Sequence, residues 1–335
     1  MTRTFQILFT FLISALALVS CTQKTNKEAV NPSLFSYLNQ EKIVELTLEA
    51  DWQQLIDQKQ SETAQPVLVS WQNAKGKQQV NAEVSVRGHA RRNICAFPPL
   101  KLKFSEENLV AKGWNTDYKS LKLVTHCADG NTDLVLREYI AYKMLNTLTD
   151  QSFRVQLAKV TYKSPQGSTE TYAFLIENNE EMATRMGGEL VEATPTKNST
   201  IDTAQYRLMA VFQYMIGNTD WNMKQQHNMK LVHLANSNFL PVPYDFDYSG
   251  MVNASYAIPP TKLPIKSVRE RYFQWRGKDA NELQATLALF ESKKETLYDL
   301  VIQLEPLSME SRIDMLNYLD SFYQNMPKAQ RLASR

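Results

Sequence analysis

The hydrophobic periodicity of the sequence changes after Glu177, and this change constrains the fold more than any other feature. Before that point, several segments alternate apolar and polar residues, including Ile43–Leu48, Val80–Val86 and Leu121–Val124. Alternation with a period of two is typical of half-buried strands. After it, apolar residues recur at helical spacing in Ala204–Ile216, Lys266–Trp275, Glu282–Leu304 and Ser308–Met326. The sequence therefore predicts an α+β fold with strands first and helices later.

The length of the chain predicts two lobes. Its 335 residues are enough for two domains of roughly 150 residues each. We expect residues 41–180 to form a β-rich N-terminal lobe, which includes one long helix capped by Thr132 or Asp133. Residues 181–335 are expected to form a mainly helical C-terminal lobe that carries the active-site loops.

The first 20 residues have the features of an export signal. Arg3 supplies a positive charge, and Ile7–Ile13 forms an apolar core that is shorter than the about 20 residues of a membrane-spanning helix. The end of this segment, Leu18-Val19-Ser20-Cys21, resembles the lipobox of bacterial lipoproteins. We therefore expect residues 1–20 to be a lipoprotein signal peptide and Cys21 to carry the lipid. The alternative is an ordinary secretory signal followed by an incidental cysteine.

The residues after Cys21 bear on location and partners. Residues 21–40 are predicted to be a flexible tether, so the protein would contact the membrane through its lipid anchor. Thr22 rather than Asp follows the cysteine, which by the sorting rule of diderm bacteria favours the outer membrane. The net charge is only +2 and no basic block occurs, so nucleic acid is not an expected partner.

Two further cysteines, Cys95 and Cys127, remain after Cys21 is assigned to the lipid. An even pair in an exported protein favours a disulfide, and the alternative is two buried free thiols. Neither cysteine has a second Cys or His at zinc-ligand spacing, so a structural zinc site is not indicated. The sequence also lacks HExxH and GxSxG, the signatures of common zinc and serine hydrolases.

The densest run of polar residues that could carry chemistry extends from Gly217 to Asp247. Asp220 follows the end of a predicted helix, Asn228 precedes a predicted short hairpin, and Asp245 follows that hairpin. Because a hairpin returns the chain to its origin, we expect Asp220 and Asp245 to lie near each other. Two alternatives give these residues structural roles only: Asp220 would cap a turn, and Asp245 and Asp247 would hold a structural calcium ion.

This spacing suits phosphoryl transfer. Mg²⁺ is usually held by one or two carboxylates together with phosphate oxygens, and an amide oxygen such as that of Asn228 could add to them. A separate carboxylate, here Asp220, must orient or deprotonate the hydroxyl that accepts the phosphoryl group. The sequence therefore favours a phosphotransferase over the hydrolases considered above.

Six segments within roughly residues 42–260 occur in an informative order, and these are Arg87-Gly88, Pro99–Phe104, Asp133–Tyr142, Leu175–Glu177, Gly217–Asn228 and Pro243–Asp247. Together they resemble the CotH kinase family, the atypical protein kinases named for a spore-coat protein. The resemblance implies a bilobed kinase-like fold and a bound ATP with Mg²⁺ or Mn²⁺. It implies that Asp220 is the catalytic-loop aspartate, that Asn228 and Asp245 bind the metal, and that Asp247 lies beside them.

The same resemblance implies a nucleotide site. Lys101 or Lys103 would reach the phosphates, with Glu138 as the ion-pair partner of that lysine, and Glu177 would mark the hinge beside the adenine. Arg87 would lie near the phosphates as well. The sequence departs from the family after Gly88, where His89-Ala90-Arg91-Arg92 stands, and arginines could substitute there for a close backbone cradle.

We therefore expect an exported, lipid-anchored phosphotransferase that moves the γ-phosphate of ATP to an acceptor in the cell envelope. The acceptor would be a protein Ser or Thr, or a glycan. The alternative function is a catalytically inactive scaffold or binding lipoprotein of the envelope.

Overall fold

In the computed structural model of the protein, the alternating segments of the first half form a closed barrel. Its strands are β1 Val44–Glu49, β2 Gln65–Asn73, β3 Gly76–Val86, β4 Leu100–Lys103, β5 Ser120–Val124, β6 Val155–Ser164 and β7 Gly167–Ile176. Their order around the barrel is β1-β2-β3-β4-β5-β7-β6. The barrel closes where β6 pairs with β1 in parallel, and the other neighbouring strands are antiparallel.

The structure describes residues 31–61, 63–74, 76–88, 90–127, 132–192, 200–235, 238–275 and 280–333, and Asn31–Arg335 form one compact unit. The predicted signal peptide and the first ten residues of the predicted tether, which include the predicted lipidation site Cys21, lie outside this description. The end of the predicted tether is helical, because Leu34–Leu38 forms α1 and buries Leu34, Phe35 and Leu38. Within the described ranges, no helix is both long and apolar enough to cross a membrane.

Alternate side chains of the barrel strands fill its interior. In β1, Val44, Leu46 and Leu48 are buried, whereas Glu45 and Glu49 are exposed. Burial of each aliphatic side chain contributes about 1.5–3 kcal/mol, and a shift of one residue would turn all of them to solvent. The alternation seen in the sequence therefore fixes which face of each strand lines the core.

The second half of the chain contains a further sheet. Its strands are β8 Gly188–Val191, β9 Thr200–Ile201, β10 Met229–Leu234 and β11 Asn238–Pro243, in the order β8-β10-β11-β9. The predicted bilobed kinase-like fold with a helical C-terminal lobe is therefore wrong, because the structure has a closed seven-stranded barrel and mixed α/β content. The sequence could not predict the whole of this second sheet, because β8 and β9 are too short to show an alternation of apolar and polar residues.

Further helices follow α1 in both halves of the chain. They are α2 Trp52–Asp57, α3 Ala90–Ile94, α4 Glu106–Ala111, α5 Asp133–Leu148, α6 Asn179–Arg185, α7 Thr203–Ile216, α8 Ala280–Ser292, α9 Lys294–Ile302 and α10 Met309–Ala333. The predicted helix over Lys266–Trp275 is absent, and that segment consists of turns and irregular backbone. Its arginines stabilise this path, since the guanidinium groups of Arg269 and Arg271 lie 4.3 and 3.7 Å from the ring of Tyr318.

The long helix α5 connects the barrel to the second half of the protein. Its buried residues form one apolar cluster with side chains of β7, α7 and α10. Tyr142 of α5 lies between the two parts, with its ring 5.5 Å from that of Phe174 in β7 and 4.6 Å from that of Phe246. Phe246 separates Asp245 from Asp247, so α5 fixes the position of both aspartates.

Candidate active site

A cavity of about 350 Å³ lies beside α5. Its wall combines the chain after β3, helices α3 and α5, the loop after α7 and the loop after β11. Six residues that the sequence analysis selected line this cavity, and these are Arg87, Glu138, Asp220, Asn228, Asp245 and Asp247. The candidate site is therefore assembled from segments far apart in the sequence.

The end of α7 determines where Asp220 stands. The helix ends at Gly217 with a φ of +66°, a left-handed conformation that glycine adopts without strain. Asn218 then accepts the backbone N–H of Asp220 through its side-chain oxygen over 3.0 Å. This local turn directs the Asp220 side chain to the cavity, where His227 Nε2 lies 2.9 Å from its Oδ1.

The hairpin of β10 and β11 brings the second acidic loop to the same place. Met229 pairs with Pro243, and the backbone N–H of Tyr244 donates to the backbone oxygen of Asn228 over 3.0 Å. The next residue, Asp245, has a φ of +63°, and its backbone N–H donates to Tyr142 Oη over 2.8 Å. Asp220, Asn228 and Asp245 therefore line one cavity.

Arg91 of α3 lies among the acidic side chains of this site. Its Nη2 is 2.5 Å from Glu138 Oε2 and 3.7 Å from Asp245 Oδ1, and its Nε is 2.8 Å from Asp247 Oδ2. Arg91 is buried, and burial alone would lower its pKa, but Asp247 and Glu138 raise that pKa well above its ordinary value. The guanidinium therefore stays charged and joins three carboxylates.

Sequence reasoning did not select Arg91 as a site residue. The only available signal was the departure from the resembled family after Gly88, where two adjacent arginines stand. Glu138 was expected to pair with Lys101 or Lys103, whereas its partner in the structure is Arg91. A short helix such as α3 is set by tertiary contacts, so the sequence could not show where its arginines point.

Lys101, Lys103 and Glu177 lie away from the cavity wall. In β4, Leu100 and Leu102 point into the barrel core, so the two lysines between and after them are exposed. The carboxylate of Glu177 is fully buried and binds Arg185, whose Nε and Nη2 each lie 2.8 Å from one of its oxygens. Glu177 also accepts the backbone N–H of Arg154 over 3.0 Å, so its role in the structure is to hold the chain after β7.

Among the lysines that the structure describes, Lys122 of β5 has unusual surroundings. It pairs with Lys101 on β4 and with Ile176 on β7, and Ile176 lines the cavity. Its ammonium group donates to the side-chain oxygen of Asn179. Burial, together with the positive charges of Arg87 and Lys230, lowers the pKa of Lys122 to about 7. The positive charges of Arg87, Lys122 and Lys230 therefore lie close together beside the cavity, and the carboxylate of Glu180 offsets them only in part.

Asp245 has the properties of a ligand for a divalent cation. Partial desolvation in the cavity wall and the nearby charge of Asp247 raise the pKa of Asp245 to about 8, and Arg91 at 3.7 Å offsets this only in part. A carboxylate in this state is stabilised by a proton or by a metal ion. Asn228 lines the same cavity, and because its amide nitrogen donates to Asp220, its side-chain oxygen is the atom that could bind a cation.

The donor set fits Mg²⁺ or Mn²⁺ better than a metal held wholly by protein. Among the described residues, no group of three or more His, Cys, Asp or Glu has metal-ligating geometry. Mg²⁺ is commonly held by one or two carboxylates, and phosphate oxygens and water complete its coordination. Asp245 and Asn228 would supply the protein ligands of such an ion.

A disulfide fixes the helix that carries Arg91. Cys95 follows α3 directly and is bonded to Cys127, which lies after β5, with a Cα–Cα distance of 4.5 Å. Both cysteines are buried, and the backbone N–H of Cys95 donates to the backbone oxygen of Arg91 over 2.8 Å. The sequence left open whether Cys95 and Cys127 are bonded, and the structure shows that they are. The bond ties one wall of the cavity to the barrel.

No protein-family model matches this chain, and no curated protein is similar enough to it to count as a relative. The resemblance to the CotH kinase family therefore stays a prediction. A proposed function has to rest on the chemistry of the cavity and not on the fold.

Proposed function

We propose that the protein is a phosphotransferase that uses ATP with Mg²⁺ or Mn²⁺. The observation that carries this proposal is a single cavity in which Asp220, Asn228 and Asp245 meet, with Arg87 in its wall and further cations beside it. Phosphoryl transfer requires this combination, because the reaction needs a carboxylate for the acceptor, a metal site and positive charge for the phosphates.

Asp220 is the residue that would receive the acceptor. Its carboxylate has one oxygen near His227 and the other hydrogen-bonded to Asn228 over 3.0 Å, so its orientation is fixed before any substrate enters. In this position it would accept the proton of the acceptor hydroxyl as the hydroxyl oxygen attacks the γ-phosphorus atom of ATP and ADP leaves. The fixed carboxylate favours transfer to an alcohol, such as a protein Ser or Thr or a glycan.

Asp245 and Asn228 would hold the divalent cation, which supplies positive charge to the phosphate oxygens when it is bound. Arg87 would contribute a second positive group from the wall of the same cavity. Lys122 extends this positive region beyond the cavity wall, since Lys101 and Lys230 lie near enough to lower the pKa of its amine. A triphosphate chain could therefore be neutralised along its length.

The predicted export signal and Cys21 would place this activity in the cell envelope, on the outer membrane. The acceptor would then be an envelope protein or a glycan, and the anchor would be the lipid on Cys21. The alternative is an inactive scaffold, and the partial neutralisation of the acidic side chains by Arg91 is the observation that favours it.

The proposal is tested with the full chain, ATP and Mg²⁺ or Mn²⁺, by measuring thermal stability and the release or transfer of the γ-phosphate. At about one hundred times its dissociation constant, bound nucleotide should stabilise the fold by about 2.7 kcal/mol. Asp245→Asn should remove the metal-dependent part of this shift. Asp220→Asn should keep the shift but lower transfer by about 10²–10⁴-fold.

The matched control is Asp299→Asn, because Asp299 is an exposed residue of α9 and lies outside the cavity. It should leave both the shift and the transfer rate unchanged. Undiminished transfer by Asp220→Asn would exclude the proposed role of that carboxylate. No nucleotide-dependent shift in the wild-type chain would favour the scaffold instead.

A further inference from the structure

The acidic cluster, defined here as Glu138, Asp245 and Asp247, contains its own cation. Arg91 reaches all three members, at 2.5 Å for Glu138, 3.7 Å for Asp245 and 2.8 Å for Asp247. The guanidinium enters from α3, whereas the carboxylates come from α5 and from the loop after β11. Three separate parts of the chain therefore meet at this site, one with the buried positive charge and two with the carboxylates around it.

The three carboxylates are not equivalent. The side chains of Glu138 and Asp247 are only 3% and 6% exposed, whereas that of Asp245 is 45% exposed and faces the cavity. Asp247 Oδ2 also accepts a hydrogen bond from Tyr256 Oη over 3.0 Å. Glu138 and Asp247 are thus bound to Arg91 in the interior, and Asp245 is left open to a ligand.

Buried carboxylates need a fixed counter-charge. Without one, the desolvation cost of ionised Glu138 and Asp247 would force them to take up protons or to bind a metal ion. A guanidinium satisfies two carboxylates at once because its N–H groups form a rigid planar fork. Arg91 therefore does the electrostatic task that a second divalent cation would do in an acidic cluster of this kind.

We propose that Arg91 is a built-in cation that excludes metal from Glu138 and Asp247, so that the site takes one divalent cation, between Asp245 and Asn228. This inference rests on the proposed function for the identity of that single ion. It assigns Arg91 a positioning role, since the guanidinium holds the cluster and leaves Asp245 as the accessible carboxylate.

The surrounding fold keeps Arg91 in place. The disulfide between Cys95 and Cys127 lies directly after α3, and both sulfur-bearing residues are buried. The backbone oxygen of Arg91 accepts the N–H of Cys95, so the covalent link acts on the turn that carries the guanidinium. Arg91 is therefore anchored from both its backbone and its side chain.

The test counts Mn²⁺ bound to the full chain in the absence of nucleotide, by electron paramagnetic resonance of the free ion. Arg91→Gln should gain one bound Mn²⁺ relative to the wild-type chain, because Glu138 and Asp247 lose their cation. Arg92→Gln removes the same charge from the same helix and should show no gain. Equal Mn²⁺ counts in a folded Arg91→Gln variant and the wild-type chain would overturn the proposal.

If Arg91→Gln does not fold, two variants that keep Arg91 decide the question. Asp245→Asn should abolish Mn²⁺ binding, because it removes a ligand, whereas Asp247→Asn should leave a measurable Mn²⁺ site. Equal losses in the two variants would overturn the proposal, because Asp247 would then be a metal ligand. The measurements use neither ATP nor an acceptor, so a lack of phosphotransfer would count against the proposed function alone.

Discussion

Asn228 donates its side-chain amide to Asp220 twice, to the backbone oxygen over 2.8 Å and to the carboxylate oxygen Oδ2 over 3.0 Å. This pairing links the residue proposed to receive the acceptor to a residue proposed to bind the metal. Because both amide hydrogens point to Asp220, the carbonyl oxygen of Asn228 is the atom left for a cation. The two functions of the cavity are therefore coupled through one amide group.

Asn228→Asp tests this coupling directly. The substitution replaces two donors by a second carboxylate next to Asp220, and like charges at this distance destabilise the fold. We expect a loss of about 2 kcal/mol in the free energy of unfolding without metal, from the two lost hydrogen bonds, one of which is to a carboxylate. Mn²⁺ should restore part of it, because the new carboxylate is a better ligand than the amide.

Urea denaturation with and without Mn²⁺ measures both effects. Asn317→Asp is the control, since Asn317 is an exposed residue of α10 and should change neither quantity. A variant at position 228 that is as stable as the wild-type chain and indifferent to Mn²⁺ would contradict the proposed pairing.

The pKa of Asp245 predicts a stability that falls as pH rises. This pKa is raised from 3.8 to about 8, so between these values the folded protein holds a proton that the unfolded chain has released. Stability therefore decreases with rising pH across this window. Asp245→Asn should remove this contribution and make the protein more stable near pH 7, whereas the exposed control Asp299→Asn should keep the wild-type slope.

Denaturation at pH 5, 6 and 7 is the measurement that separates these cases. This pH range lies below the one in which Lys122 contributes the opposite dependence. The pKa of Lys122 is about 7, so Lys122 makes stability rise with pH only above pH 7. Parallel slopes for the wild-type chain and Asp245→Asn would show that Asp245 titrates normally.

The sequence predicted local features well where one face of an element is buried. The alternation in β1 and the helical spacing in α7 come from such faces. The sequence also predicted that the polar loops around Asp220 and Asp245 lie near each other, because a hairpin constrains its two ends irrespective of the rest of the fold. In the structure both loops line one cavity. These inferences needed only short-range geometry.

The closure of the barrel could not be predicted in the same way. It depends on the parallel pairing of β1 with β6, in which Val44 lies opposite Ala158. A period of two shows which residues face inward but not which strand lies alongside. The role of Arg91 was missed for the same reason, because its partner Glu138 is 47 positions away in the chain and on another element.

Lys122 should be unusually reactive toward acylating reagents. Its pKa is about 7, because of burial and the neighbouring charges of Arg87 and Lys230, so most of its amine is neutral at pH 8. An exposed lysine with a pKa near 10.4 is almost wholly protonated at that pH. We expect Lys122 to be modified at least about tenfold faster than the exposed Lys103, despite its lower accessibility.

Mass spectrometry after brief treatment at pH 8 gives the relative rates of the two lysines. Addition of inorganic tripolyphosphate should slow the modification of Lys122, because an anion beside the positive region raises the pKa of its amine. Lys103, which lies outside that region, is the internal control. Equal rates for the two lysines would exclude a perturbed amine at Lys122.

Gly217 is a position where a side chain should damage both the fold and the site. A Cβ atom there would lie 1.9 Å from Tyr318 Oη, and the backbone φ of +66° is unfavourable for residues with a side chain. Gly113 has a similar φ of +70°, but a Cβ at that position would meet no atom within 4 Å. The two glycines therefore differ in the steric clash and share the backbone strain.

Gly113→Ala should cost about 1–2 kcal/mol of stability, which is the strain of a left-handed backbone. Gly217→Ala should cost clearly more, and in a Tyr318→Phe background this excess should shrink because the clashing hydroxyl is gone. Thermal unfolding of the two single variants and the double variant measures the three values. Because Gly217 sets the turn that orients Asp220, equal costs for the two alanine variants would mean that Tyr318 does not constrain that turn.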